Sequence, residues 1–213
     1  MKKFISNIYH KFFKYKFEDN FQNINYEQIC EIEKSESEKY RLQLFNSLDL
    51  KKIKSVLDYG CGYGMNMKVI KNINNEIILN GMDISKTKIR MLKILNDNIY
   101  KMSLNVHEIK NLPNFEKKFD LVFTDAVLIY VNPNNIYKLL KNLINSSKKK
   151  ILLHELCNLY DRGKVDYLHI HDYKNLIKRI NPKLKIKTFK SSKPGTPWNT
   201  HGTIILIDKE NAN

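Results

Sequence analysis

The stretch Val56-Leu57-Asp58-Tyr59-Gly60-Cys61-Gly62-Tyr63-Gly64 decides how the rest of the chain is read. An apolar run ends in an acid and is followed at once by three glycines at alternate positions. Glycine in such a pattern marks backbone at positive φ, or backbone that a ligand approaches with no Cβ in between. The spacing G-x-G-x-G differs from the G-x-G-x-x-G of dinucleotide binders, whose third glycine supports helix packing beside a pyrophosphate. No G-x-x-x-x-G-K-[ST] occurs anywhere in the chain, so a P-loop phosphate cradle is not expected.

Beyond this turn, short apolar runs alternate with amphipathic stretches, the pattern of βαβ units and a mostly parallel sheet. Strands are expected at Ser55 to Asp58, Ile77 to Met82, Leu104 to His107, Leu121 to Thr124, Ile151 to His154, near Leu184 to Phe189, and at Gly202 to Ile207. Helices are expected at Met65 to Ile73, Lys86 to Asn96, Asn134 to Ile144 behind Pro133, and Tyr173 to Ile180. Residues 1–50 hold no glycine or proline and mix aromatics with Lys, Asn and Glu, which reads as a helical arm plus connector. Within it Tyr40, Leu44 and Phe45 fall at helical offsets, giving a helix that ends near Ser47. The expected division is therefore an arm over 1–50 and one ligand-binding domain over 51–213.

A chain of 213 residues, 42% hydrophobic, is long enough for one self-sufficient core. It has no apolar run of bilayer-spanning length, and its opening apolar residues are soon interrupted by Asn7, His10 and Lys11, unlike a secretory leader. Cys30, Cys61 and Cys157 are odd in number and show no CxxC, which argues against a disulfide frame or a metal site and for reduced thiols in the cytoplasm. The net charge of +15 admits a nucleic-acid partner, since clustered cations gain affinity by releasing phosphate counterions. The joint richness in Lys, Asn and Ile instead reads as coding bias that scatters lysine over the surface, so nucleic acid is the second choice of partner.

The run Gly81-Met82-Asp83-Ile84-Ser85 ends in an acid about 20 residues beyond the turn, where such folds meet a ribose diol. Capping of the next helix is the alternative role for Asp83, although Ser85 can also fill it. Together these residues resemble the class I S-adenosylmethionine-dependent methyltransferases over about Lys54 to Glu155. The resemblance implies a Rossmann-like, seven-stranded, mostly parallel sheet with helices on both faces, and S-adenosyl-L-methionine as cofactor. It implies Asp58, Gly60, Cys61, Gly62 and Gly64 at the methionine end of the cofactor, Asp83 at the ribose, and Ile84 or Met82 flanking the adenine. Glu108 matches the acid that receives the adenine amino group, with Ile109 beside it offering a backbone N–H and His107 as a competing assignment. Phe119 to Ala126 resembles the fourth motif, which brings Thr124 and Asp125 next to the sulfonium.

The acceptor is less legible. Thr124-Asp125-Ala126 is not the N/D-P-P-Y tetrad that grips a planar amino group, so transfer to a base nitrogen is disfavoured. An oxygen acceptor needs a base, and His154, His171 and His201 are the candidates, since histidine titrates near neutral pH. The alternatives are a polar strand end for His154 and a helix cap by Asp172 beside His171. Pro194 to Gly202 reads as a rigid loop whose Trp198 either stacks on a ligand or covers core. The segment from His169 to Ile205 is similar to methyltransferases of bacterial surface-glycan clusters, which implies a small polar or sugar-linked acceptor; RNA is the alternative.

Overall fold

A computed structural model describes residues 37–46, 48–97, 101–109, 118–157, 168–193, 195 and 197–209. Helix α1 (Ser37–Asn46) precedes a short 3-10 turn, Leu50–Lys52. There follow β1 (Ser55–Tyr59), α2 (Met65–Ile73), β2 (Ile78–Asp83), α3 (Lys86–Leu95), β3 (Leu104–Glu108) and β4 (Phe119–Asp125). A second 3-10 turn, Leu128–Tyr130, leads to α4 (Pro133–Ser146), β5 (Ser147–Leu156), α5 (Tyr173–Ile180), β6 (Lys185–Lys190), the single-turn α6 (Trp198–His201) and β7 (Gly202–Asp208). The expectations that fall on 1–36, Cys30 among them, lie outside the described residues.

Local chemistry sets the helix starts. The Ser85 hydroxyl accepts from the Lys88 amide at 3.3 Å to begin α3, and Asp172 accepts from the Asn175 amide at 3.0 Å to begin α5. Helix α4 has Asn132 as cap and Pro133 in its first turn, where the missing N–H costs nothing.

The strands form one seven-stranded sheet in the order β3-β2-β1-β4-β5-β7-β6, with only β7 antiparallel to its neighbours. Chain order reverses between β1 and β4, and such sheets hold ligands at the carboxyl ends beside a reversal of this kind. Alternating side chains feed two cores. Val56, Leu79, Leu121 and Phe123 pack under α1, α2 and α3 with Leu44, Ile70 and Leu92. Leu57, Val122, Ile151 and Leu153 pack under α4 and α5 with Leu139, Leu143 and Ile177. Among the described residues no helix is long and apolar enough to cross a membrane.

Two elements differ from the sequence reading. Strand β5 begins four residues early, at Ser147, because Lys149 and Lys150 find Asp120 and Asp208 and so tolerate a strand that looks polar. The segment read as a loop before β7 contains a helical turn, Trp198–His201.

Helix α1 is anchored by Phe45, whose ring meets Phe123 edge-on at 5.3 Å. Replacing Phe45 by alanine removes that contact from a site that is 1% exposed, and we expect urea unfolding to register a loss of about 3–5 kcal/mol. A loss below about 1 kcal/mol would mean that the helix does not belong to the cooperative core.

Candidate functional site

The glycine turn hangs from β2: the amides of Gly60 and Cys61 both donate to the Met82 carbonyl, at 2.6 and 3.0 Å. Gly60 has φ +86°, and a Cβ there would lie 2.2 Å from Val127 Cγ2. Gly62 also has positive φ, +53°, but a Cβ there would meet nothing within 4 Å. The first glycine is thus demanded by packing, while the second faces open space. Gly64 initiates α2, and Cys61 is buried against Gly81.

Both carboxylate oxygens of Asp83 are engaged by backbone amides. Its Oδ2 accepts from the Gly62 amide at 2.9 Å and its Oδ1 from the Ser85 amide at 2.8 Å, while Ser85 supplies the cap hydroxyl. Glu108 is its register partner on β3 and pairs with Lys86 at 3.7 Å. Ile84 packs against the α4-side core, and His107 is exposed. One expected feature is corrected: the Ile109 amide donates to the Asp83 carbonyl at 2.8 Å, so that N–H is committed to the sheet end rather than offered to a ligand.

At the ends of β1 and β4 stand two carboxylates whose surroundings push them in opposite directions. Asp58 is buried with Oδ2 unpartnered among the described residues, and burial, reinforced by the charges of Asp125 and Asp83, holds its carboxyl well above the usual range. The Asp125 side chain is only 8% exposed, and burial alone would raise it. The His154 hydrogen bond, the Lys193 charge and the Asn66 amide outweigh that and hold it ionised, below the usual carboxylate range.

Asp125 is the node of the site. Its Oδ1 meets His154 Nδ1 at 2.7 Å, and its Oδ2 accepts from the Tyr40 hydroxyl at 2.9 Å and from Asn66 Nδ2 at 3.0 Å. With Asp125 ionised, His154 Nδ1 carries the hydrogen and Nε2 is left to accept from the Ser191 hydroxyl, 2.7 Å away. Trp198 lies over His154 at 5.0 Å, and Lys193 stands 4.2 Å from the Trp198 ring centre. The residue after the node, Ala126, takes φ +58°, a strained conformation for a side-chain-bearing residue at the strand end.

The other expected base candidates sit apart from this chain of hydrogen bonds. His171 Nε2 donates to the carbonyls of Leu128 and Val131 at 3.1 and 3.0 Å. His201 lies in α6, where its carbonyl accepts from the Cys157 amide at 2.9 Å. Thr124 is buried and gives its hydroxyl to Glu155 at 2.8 Å. Glu155 in turn accepts from the Val127 and Leu128 amides at 3.2 and 3.1 Å, and so fastens the chain just after Ala126.

Tyr40, Arg41, Asn66, Ser191 and Lys193 were not picked out from sequence. They are single polar residues on separate elements, and only the tertiary fold makes them neighbours. The nearest available signal was Tyr40, noted only for its place on the apolar face of a helix.

A doubly wound sheet with a glycine turn after its first strand and an acid at the end of the second is a Rossmann-like arrangement. Residues 56–150 match a family model described as a methyltransferase domain. The match supports reading the chain as a class I S-adenosylmethionine-dependent methyltransferase with S-adenosyl-L-methionine as cofactor. No curated protein matches its sequence. Among solved structures it is similar to magnesium protoporphyrin IX methyltransferase from Synechocystis PCC 6803 with bound SAM, at 15% identity and TM-score 0.60, covering 88% of this chain and 85% of that one. It is also similar to the plantazolicin methyltransferase BpumL in complex with SAH, at 17% identity and TM-score 0.61, covering 89% and 92%. A third is the mitomycin 7-O-methyltransferase MmcR, at 10% identity and TM-score 0.64, where 81% of this chain covers 54% of that one. At these identities the likeness shows the fold alone.

Two buried groups near this site make opposite contributions to stability as pH changes. Burial pushes Glu155 up to about 7 from 4.5, so its favourable term is full below about 4.5 and is lost as pH rises to 7. Burial pushes His171 down to about 4 from 6.5, so its favourable term is full above 6.5 and is lost as pH falls to 4. The two nearly cancel between pH 4.5 and 6.5. Glu155→Gln should expose the histidine term, so urea-unfolding stability should fall more steeply on acidification than in the wild type. An unchanged pH slope would contradict the assignment to Glu155.

Proposed function

We propose that the protein methylates an oxygen of a small polar or sugar-linked acceptor, as in glycan biosynthesis. The observation that carries this reading is the buried hydrogen-bonded chain Asp125–His154–Ser191, which gives a hydroxyl proton a route away from the reacting oxygen. The open space over Gly62 and the unpartnered Oδ2 of Asp58 suit the polar, cationic end of the cofactor. Gly60, Cys61, Gly62 and Gly64 shape the turn beneath it. Asp83 and Glu108 stand on adjacent strands at the ribose and adenine end, with Ile84 and the Ile109 side chain as apolar flanks. Asp125 would stand toward the sulfur, whereas Thr124, expected beside it, is buried and gives its hydroxyl to Glu155.

When bound, the cofactor supplies an electrophilic methyl group on a cationic sulfur. The protein aligns the acceptor oxygen opposite that sulfur, the contribution that placement makes in an in-line displacement. Ser191 Oγ accepts the acceptor proton while passing its own to His154 Nε2. Ionised Asp125 stabilises the resulting imidazolium and fixes the tautomer that leaves Nε2 free. His154 thus retains its expected role as base, exercised through Ser191. Buried His171 becomes a positioning residue for the 128–131 turn, and His201 has no part in the route.

The reading predicts that label from methyl-labelled cofactor passes to hydroxyl-bearing small molecules or nucleotide sugars in a screen that also includes RNA. Transfer to RNA alone would overturn it in favour of the RNA alternative. With an acceptor in hand, Ser191→Ala and His154→Gln should each lower kcat by about 10²–10⁴-fold, with S-adenosylhomocysteine affinity unchanged in calorimetry. Full turnover in both variants would exclude the route.

The glycines separate fold from ligand. Gly60→Ala should lower unfolding stability through its clash with Val127. Gly62→Val should abolish S-adenosylhomocysteine binding, because its side chain enters the open space a ligand would use. Wild-type affinity in Gly62→Val would contradict that placement.

A further inference from the structure

Asp125 presents two chemically equal oxygens, and the proton route needs one of them in a fixed place. A carboxylate turns readily about its last carbon–carbon bond, since that torsion is broad and two-fold. Oδ1 keeps its 2.7 Å contact with His154 Nδ1 only while Oδ2 is held. Among the described residues two hydrogen bonds hold it, from the Tyr40 hydroxyl at 2.9 Å and from Asn66 Nδ2 at 3.0 Å. Lys193 approaches Oδ1 instead, at 3.7 Å. The other charged groups that bear on this pair are Arg41, beside the Tyr40 ring, and the carboxyls of Asp58 and Glu155, and none of them bonds Oδ2.

The two donors are not equal. Asn66 Oδ1 is buried with no hydrogen-bond partner among the described residues, so hydrogen bonding fixes that amide only at its Asp125 end. Tyr40 is 6% exposed, and Leu44 and Phe45, about one turn further along α1, are each 1% exposed. The helix that carries the hydroxyl is thus fastened to the core close beside it. Burial, reinforced by the charge of Asp125, holds the phenol well above its ordinary range, so it remains a donor. The Tyr40 ring centre also lies 6.0 Å from that of His154, so one residue of α1 stands beside both members of the pair.

We propose that Tyr40 is a positioning residue for methyl transfer: by holding Asp125 Oδ2 it keeps Oδ1 on His154 Nδ1, and so maintains the tautomer whose Nε2 receives the proton from Ser191. This rests on reading Asp125–His154–Ser191 as the proton route. It makes α1 part of that route, although Tyr40 and Asp125 are 85 positions apart in sequence.

The full-length protein, labelled with nitrogen-15 and saturated with S-adenosylhomocysteine, is observed by NMR at the His154 ring, at mildly alkaline pH where an imidazole is ordinarily neutral. In the wild type we expect one tautomer, with hydrogen on Nδ1, none on Nε2, and slow exchange of the Nδ1 proton with water. Tyr40→Phe keeps the ring and removes only the hydroxyl. It should speed that exchange by about ten-fold or more, the scale of a lost hydrogen bond to a charged group, and bring in an Nε2–H form. Asn66→Ala should do the same to a smaller extent. Phe45→Leu loosens α1 without removing the hydroxyl and should leave the His154 signals as in the wild type. Wild-type His154 signals in Tyr40→Phe overturn the proposal. The same change in Phe45→Leu, or collapse of the whole amide spectrum in Tyr40→Phe, overturns it too, since the role would then be one of packing. Hydrogen on Nε2 in the wild type itself would overturn the underlying proton route, and this proposal with it.

Discussion

The contact between Asp125 and His154 organises the functional end of this protein. They are register partners on neighbouring parallel strands, and they meet at 2.7 Å where β4 and β5 near their ends. A carboxylate in so enclosed a place is costly unless hydrogen-bonded. Tyr40 from α1, Asn66 from α2 and Lys193 from the β6–β7 connection all converge on it. One buried charge thereby ties the first helix, the helix after the glycine turn and the last connection to the centre of the sheet. These elements meet at the strand ends through that shared charge.

The same logic explains why two aspartates at adjacent strand ends differ. Asp58 is buried, the Asp125 side chain is only 8% exposed, and the charge of Asp125 acts on Asp58. Asp125 collects donors and stays ionised, whereas Asp58 keeps an unpartnered oxygen and is pushed toward the neutral form. A cationic ligand entering beside Asp58 would supply the compensation that the protein withholds, so its binding favours ionisation there. Such an arrangement favours a positively charged cofactor over a phosphate-rich one. The G-x-G-x-G spacing, unlike that of dinucleotide binders, points away from a phosphate-rich cofactor by a separate route.

Much of the frame was readable from sequence. The helices Met65–Ile73 and Tyr173–Ile180 lie where the 3.6-residue pattern put them, and the Val56–Gly64 turn follows its strand as expected. These are local signals, set by periodicity and by glycine stereochemistry. The early start of β5 was hidden because a run of lysines conceals a strand whose neighbours supply carboxylates. Trp198–His201 was hidden because proline and glycine around it read as loop. The Ile109 amide was misread because its partner, the Asp83 carbonyl, belongs to another strand. The hydrogen-bonded chain itself joins residues 29 and 37 positions apart, and no local pattern announces that Ser191 will lie behind His154.

The central claim is that the glycine turn and the Asp125–His154 contact belong to one ligand site. Nitrogen-15 NMR of the full chain, observing the Gly62 amide and the His154 imidazole together as S-adenosylhomocysteine is added, tests it most directly. The account predicts that both sets of resonances shift along one saturation curve, with His154 Nδ1 protonated throughout and no comparable response to NAD. Shifts confined to other parts of the sheet, with Gly62 and His154 unmoved at saturation, would contradict it.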